Sequence, residues 1–555
     1  MVDSPRDGVV QGREALQSGD ALGARSLFEG ALAAAVSGAA LEGLSAASYV
    51  LLEFPRSIDE MERAHAAYRS EGDGPGAVRT ARTLGYLHGS TSGDWAIAGG
   101  WIARAKNLQV DQLESSERGW IALTEGMFEE VRPVKEQHYA QALDIGRRWS
   151  DTELVFCTLA YLGASLVHDD RVEEGMMLLD EALAAVAGGE VDDFVVLEEI
   201  FCQMFSACER AQDVGRAEQW IRVGEAIAER RRLPAVSAYC RTHYGGILTA
   251  AGRWPEADDA LTEAVRLWAL GRRTLKAGAL VRLAGLRIKQ GRLEEAERLL
   301  DGMSNDAEAT LPLASLQFAR GETAVARETL ERALQASDPS SSSVVPFLAL
   351  LIDVHLTDRD LASAQSSVDA LAVCAASHPS AHAAAVLALA RGRIALATGA
   401  GDPREWLRRA LNGFNTAQLP LEAALCRLDL ARAFGEESPS VAVSEARMAL
   451  LEFERLTAAR QVDAAQALLR RLGARVSPAR SGGSNLTRRE KDVLTLLGEG
   501  LSNPEIAERL LISRKTVEHH VGNVLDKLGL RNRAEAAAYA VRSGSDGEDA
   551  GRARK

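Results

Sequence analysis

One spacing recurs through residues 9–460 and limits what the chain can fold into. It is a small residue, a large apolar residue four positions on, and a second small residue three further. Clear copies are Ala24/Phe28/Ala31, Ala98/Ile102/Ala105, Gly175/Leu179/Ala182, Ala217/Ile221/Gly224 and Ala257/Leu261/Ala264. Ala296/Leu300/Met303, Ala326/Leu330/Ala333, Ala364/Val368/Leu371 and Ala442/Ala446/Ala449 continue the series, with weaker copies at Ser57/Met61/Ala64, Lys135/Tyr139/Ala142 and Pro403/Leu407/Ala410. Steps of four and three keep the members of each triad on one stripe of a helix. The small residues let a partner helix approach, and the large one fills the gap between neighbouring units. Many copies follow a turn such as Gly19-Asp20, Gly93-Asp94, Gly252-Arg253, Gly291-Arg292 or Gly321-Glu322. The period wanders between about 30 and 42 residues and centres near 40, in the range of helical-hairpin repeats. One hairpin cannot bury its own apolar face, so such units must stack. The expected result is a right-handed superhelix of about eleven or twelve hairpins.

Composition agrees with helix. Hydrophobic residues make up 46% of the chain but aromatic residues only 5%, and no alternating Val/Ile/Tyr/Thr run is long enough to propose a sheet. The repeat pattern resembles the tetratricopeptide-like class, with a longer period. No apolar run approaches the roughly twenty residues a membrane span needs. Met1 to Arg13 carries early charges and no apolar stretch of the secretory type, so no signal peptide is read. The six cysteines, at 157, 202, 208, 240, 374 and 426, form no C-x-x-C pair and sit in apolar, helix-like surroundings. They are expected to be reduced, buried thiols of a cytoplasmic protein.

The last seventy or so residues change character. Thr487 with Glu490 has the spacing of a capping box, and the helix it opens carries Val493, Leu494 and Leu497 before Gly500 stops it. Ser502 with Glu505 repeats the box ahead of Ile506, Ala507 and Leu510, where the small Ala507 lets the next helix come close. Leu511 and Ile512 make a turn, and Ser513 caps a third helix. Val517, Val521, Val524 and Leu528 form its inner stripe, and Lys515, Glu518, His519 and Gly522 fall on the other side. This is the layout of a helix-turn-helix, whose second motif helix enters the major groove of DNA. Glu518, His519 and Gly522 are placed nearest the base edges: Glu can accept from cytosine N4, His can meet a purine, and Gly permits close approach. Arg514, Lys515, Thr516, His520, Asn523 and Lys527 are placed toward phosphates, which fix register without reading sequence. Residues 486–542 hold ten Lys/Arg against eight Asp/Glu, while the whole chain carries −14. Arg470, Arg471, Arg475 and Arg480 add basic charge just upstream, as phosphate binding requires.

These residues resemble the LuxR-type helix-turn-helix domain of bacterial transcription regulators. The matching positions are Thr487, Arg489, Glu490, Val493, Leu494, Gly500, Asn503, Ile506, Ala507, Leu510, Ser513, Thr516, Val517, His520, Val521, Lys527, Leu528, Arg533 and Ala536. The resemblance implies a fourth helix, here about Arg533 to Val541, that pairs two copies across an inverted repeat. Pro504 stands where the family often has Lys or Arg. Proline suits an early helical position but contributes no phosphate contact. The upstream segments Gly12-Arg13-Glu14-Ala15-Leu16, Leu41-Glu42-Gly43-Leu44 and Gly99-Gly100-Trp101-Ile102-Ala103-Arg104-Ala105 resemble, less specifically, actinobacterial LuxR-type regulators with helical-repeat sensor regions. That resemblance implies no particular ligand.

The expected architecture is therefore all-α. A tetratricopeptide-like α-solenoid over 9–472 is followed by a Gly/Ser/Pro/Arg linker over 473–485, a small four-helix LuxR-type domain over 486–542, and a polar disordered tail over 543–555. No G-x-x-x-x-G-K-[ST], H-E-x-x-H or G-x-S-x-G is present, and none of the eight lysines sits in a phosphate-binding loop. His378 and His382 are four apart, but Pro379 and the lack of a carboxylate nearby in sequence point away from a metal site. No catalytic residue, cofactor or metal is assigned. The reading is a sequence-specific, cytoplasmic transcription regulator, associated with the nucleoid when bound. It would bind double-stranded DNA as a homodimer under the control of a small-molecule, peptide or protein effector. The alternative is a helical-repeat adaptor for a protein partner with an auxiliary DNA-binding head.

Overall fold

The computed structural model describes residues 5–110, 115–231, 238–268, 273–435, 437–474, 488–510, 512–528 and, near the C-terminus, 533, 535–537 and 540. Most of the expected linker, the tail, Thr487 and Leu511 lie outside these residues. Every regular element among the described residues is helical, and the chain divides into two compact units, Met1–Leu468 and Leu469–Lys555.

Among the described residues the first unit is a stack of twelve helical hairpins. It runs from Pro5–Gln17 with Ala21–Ala34 to Pro420–Phe434 with Pro439–Leu456, and a single helix, Ala459–Arg471, follows. Each helix packs on the next, and first helices of successive hairpins also touch, which is the arrangement of a tetratricopeptide-like solenoid. Every residue of the twelve sequence triads except Met303 lies on the second helix of a hairpin. Ala24, Phe28 and Ala31, like Ala257, Leu261 and Ala264, are fully or almost fully buried. Met303 falls just past the end of its helix, Leu293–Leu300.

In three hairpins the large residue of the triad fills a hole that a glycine on the preceding helix leaves. A Cβ added at Gly12 would run into the ring of Phe28, one at Gly163 into Leu179, and one at Gly245 into Leu261. Each glycine precedes its partner by sixteen residues. The turns also behave as the sequence indicates: Gly19, Gly93, Gly252, Gly291 and Gly321 all have φ between +71° and +83°. That left-handed conformation suits glycine and costs other L-residues roughly 1–2 kcal/mol. Leu52, Asp170, Gln212 and Arg359 nevertheless adopt it between the helices of their hairpins.

The stack folds back on itself. Asp170, in the turn of the fifth hairpin, accepts from the Ser342 amide at 2.9 Å and from Ser341 Oγ at 3.2 Å, just ahead of the tenth. Lys289 of the eighth hairpin lies 3.5 Å from Glu422 of the twelfth. A continuous apolar core joins Leu154, Leu179, Ile200 and Phe205 to Leu407, Phe414 and Leu430, so this stretch of the solenoid is filled.

The expectation of six reduced thiols is corrected at one pair. Cys202 in Phe194–Ala211 and Cys240 in Ala238–Ala250 form a disulfide, with Cα atoms 4.9 Å apart. They are 38 residues apart in sequence but sit on the first helices of neighbouring hairpins, a proximity no local pattern reveals. Cys157, Cys208, Cys374 and Cys426 are free and buried. The neighbourhood of His378 also differs from expectation, because Asp170 comes within 3.9 Å of its Nε2. Among the described residues no group of three or more His, Cys, Asp or Glu gathers as a metal site would require. No helix among them is long and apolar enough to cross a membrane.

Charged groups tie first helices together across the same region. Glu209 accepts from Arg282 Nε at 2.7 Å and Nη2 at 2.8 Å, and its Oε2 lies 2.6 Å from His243 Nδ1, which links three successive hairpins. Burial alone would raise the Glu209 pKa, but Arg282 and His243 outweigh it and bring the carboxyl down to about 2. A depressed carboxyl contributes stability above its unfolded pKa, about 4.3, and loses it as pH falls toward the folded value. Acid unfolding of the full chain is therefore expected to include a component on the order of 3 kcal/mol between roughly pH 4.5 and 2. Comparing denaturation midpoints of the parent and Glu209→Gln across that range checks it, since the variant should lose that part of the pH dependence.

Candidate nucleic-acid interface

The second unit is built on three described helices, Arg488–Gly498, Asn503–Leu510 and Arg514–Leu528. Val493, Leu494, Leu496 and Leu497 of the first pack with Ile506 and Ala507 of the second, Val517, Val521 and Val524 of the third, and Ala536 beyond it. The inner stripe read from sequence is thus the core, except that the Leu528 side chain lies outside the described residues. Of the expected fourth helix, the described positions 533, 535–537 and 540 are helical, and Ala536 is fully buried.

Local signals place the helix ends. Gly500 has φ +83°, and the Gly500 and Leu501 amides donate to Leu497 and Leu496 carbonyls at 3.1 and 3.2 Å, closing the first helix. Glu505 reaches back to accept from the Ser502 amide and hydroxyl, both at 2.6 Å, which is the carboxylate half of the second capping box. Those bonds to Ser502 hold the Glu505 carboxyl below its usual range. Ser513 Oγ accepts from the Thr516 amide at 3.1 Å and opens the third helix. Pro504 occupies the second position of its helix, where no intrahelical donor is needed. Thr487, the cap of the first box, lies outside the described residues. Its partner Glu490 is buried.

Two arginines that the sequence marks only as matching positions hold the turns. Arg489 Nη2 donates to the carbonyl of Leu510, the last residue of the second helix. Arg533 donates to the Leu501 carbonyl and, at 2.6 Å, to Asn503 Oδ1. Carbonyls at a helix C-terminus lack intrahelical partners and favour a cation, so Arg489 both satisfies and neutralises that end. Nothing in residue type distinguishes these arginines from phosphate contacts. Only the fold turns them inward.

The third helix then presents a polar face opposite Val517, Val521 and Val524. Arg514, Lys515 and Glu518 are exposed, while Thr516 and His520 are half-buried. The Thr516 hydroxyl sits 2.7 Å from Ser513 Oγ, so it is partly engaged in the cap. Gly522 faces open space: a Cβ built there meets nothing within 4 Å. Its own packing therefore does not require glycine, although glycine in a helix interior costs about 1 kcal/mol against alanine. Arg514 Nε lies 3.0 Å from Glu518 Oε1, pairing a residue expected at phosphates with one expected at bases. The side chains of His519, Asn523 and Lys527 lie outside the described residues.

A family of bacterial regulatory proteins, the luxR family, matches residues 484–540. The C-terminal domain belongs to the luxR family. The chain is 56% identical over 63 residues to the uncharacterized transcriptional regulatory protein YhcZ of Bacillus subtilis, covering 11% of this chain and 29% of that protein. It is 53% identical over 60 residues to the transcriptional regulatory protein LnrK of the same organism, covering 11% and 27%. It is 45% identical over 58 residues to the DNA-binding transcriptional activator DevR/DosR of Mycobacterium tuberculosis, covering 10% and 27%. The chain thus spans less than a third of the length of these relatives. Among solved structures, the Cut9-Hcn1 hetero-tetramer of APC/C aligns with a TM-score of 0.41 and 11% identity over 84% of this chain and 90% of that one. A Rap protein complexed with Competence and Sporulation Factor aligns at 0.39 and 13%, over 57% and 96%. Likenesses at that level carry no argument about function.

Proposed function

We propose that the chain is a sequence-specific transcription regulator whose solenoid, residues 9–472, responds to an effector and controls the luxR-family head, residues 486–542. The observation that carries this reading is the third helix of that domain. It is anchored by Val517, Val521 and Val524, and it turns Lys515, Glu518 and the unobstructed Gly522 outward. Glu518, His519 and Gly522 are assigned to base edges, and Lys515, Thr516, His520, Asn523 and Lys527 to phosphates. Two heads about one helical turn apart would read a short inverted repeat. The effector is a small molecule, a peptide or a protein held by the solenoid, and the protein acts in the cytoplasm, at the nucleoid when bound.

The test is duplex selection from a random pool with the full chain, followed by titration of the enriched site at several salt concentrations. Glu518→Ala and His519→Ala are each expected to lower discrimination at one base pair by roughly 1–3 kcal/mol. Lys515→Ala is expected to weaken all duplexes alike and to reduce the salt dependence by about one counterion. A full chain that enriches no sequence and binds no duplex at low salt would remove the reading.

A further inference from the structure

We infer that Arg514 is a positioning residue for base reading, holding Glu518 for a cytosine, rather than a phosphate contact. The inference rests on the assignment of Glu518 to a base edge. A carboxylate entering the major groove approaches two rows of phosphates and is repelled by them. In this protein a guanidinium is already attached to it, with Arg514 Nε 3.0 Å from Glu518 Oε1. The pair offsets the carboxylate charge before any duplex arrives. Only Oε1 is engaged. Among the described residues Oε2 receives no bond, and the carboxylate is about half exposed, with a side-chain exposure of 49%. One oxygen is thus held by the protein, and the other is left to accept from cytosine N4, the donor that base presents in the major groove.

Helix stability does not account for the pair. Arg514 is the first residue of Arg514–Leu528, where the helix dipole disfavours a cation. Arg preceding Glu by four positions is also the weaker order for such a pair. With Arg514 70% exposed, the bridge is of the surface kind that adds little to folding. Its consequence lies in the rotamer and net charge of Glu518. Ser513 and Thr516, joined at the cap, fix the backbone from which Arg514 projects.

The experiment uses the full chain with the duplex enriched by selection and three relatives that differ at the base pair where Glu518→Ala relaxes preference. Arg514→Ala is expected to relax that same base pair by roughly tenfold, within the range of a side chain–base contact. Its salt dependence should match the parent's, and Arg514→Ala/Glu518→Ala should discriminate no worse than either single variant. Arg514→Lys, which keeps the charge, is expected to recover part of the preference. If Arg514→Ala instead weakens all four duplexes equally and lowers the salt slope by about one, Arg514 is a phosphate contact and the inference is overturned while the role of Glu518 stands. If Glu518→Ala keeps full preference at every position, the base-edge assignment itself is overturned, and the inference with it.

Discussion

Arg393→Ala is expected to cost the solenoid about 3 kcal/mol, the lower end of the penalty for breaking a buried ion pair from one side, because Asp429 is buried while Arg393 and Asp353 keep 20% and 32% of their side chains exposed. Arg393 lies on Ala381–Thr398, between Asp353 of the preceding hairpin and Asp429 of the following one. Its Nη1 reaches both Asp353 oxygens, at 2.6 and 2.8 Å, and its Nε reaches Asp429 Oδ2 at 2.8 Å. Removing the guanidinium leaves Asp429 its bond to Arg432 at 2.5 Å but takes away the cation that Asp353 faces. Burial already pushes the Asp353 carboxyl above its ordinary pKa despite Arg393, and Asp429 adds to the push. Without Arg393 that shift should grow, so the penalty should shrink as pH falls into the carboxylate range and protonation neutralises the group. Urea denaturation of the full chain at neutral pH and near pH 4 measures both effects. Arg393→Ala combined with Asp353→Asn should recover part of the loss. A single variant within about 1 kcal/mol of the parent at neutral pH would show that water reaches the site and screens the charges.

Phe28→Ala is expected to cost about 3–5 kcal/mol, the range for truncating a buried phenylalanine, but with local consequences. The ring is fully buried between Gly12 on the first helix of its own hairpin and Gly43 on the first helix of the next. Neither glycine has a side chain that could move into the cavity. A solenoid is stabilised by each unit and its neighbours, so damage in the first hairpin should fray residues 5–50 before it affects the rest. Hydrogen exchange is the suitable readout: protection should fall across the first three helices and remain unchanged from the fourth hairpin onward. Uniform loss of protection through residue 468 would mean that the stack unfolds as one cooperative body.

Both sites show how far the sequence could be read. Phe28 stood out because its triad is local, spanning two turns of one helix. The glycine sixteen residues earlier belongs to the same repeat but is separated from the triad by a turn, and it becomes meaningful only when the two helices are seen in contact. Arg393 could not be singled out at all. Asp353 and Asp429 lie 40 and 36 residues away, and nothing in a charged residue's identity tells which of many opposite charges it will meet. The turns divide in the same way. Five glycines announced a left-handed residue, whereas Leu52, Gln212 and Arg359 take that conformation without any local preference for it, so the packing of the helices on either side must impose it.

At the candidate interface the capping serines, Gly500 and the valine stripe were legible because each depends on neighbours within a turn or two. Arg489 and Arg533 were not, since their carbonyl partners are 21 and 32 residues away. Arg514 is intermediate. Its spacing from Glu518 allowed a pair, but the same side chain could equally have reached a phosphate.

By itself the sequence determined the helical hairpins, the apolar stripe of each second helix, and the Ser513 cap and core of the luxR-family domain, because these follow from interactions within a few residues. Tertiary structure alone decided that the stack folds back on itself, with Asp170 bonded to Ser342. It also decided that Cys202 bonds Cys240, and that particular arginines face carboxylates or carbonyls rather than solvent. Those outcomes depend on which surfaces meet after many small inter-hairpin rotations accumulate, and no local pattern of side chains encodes that sum.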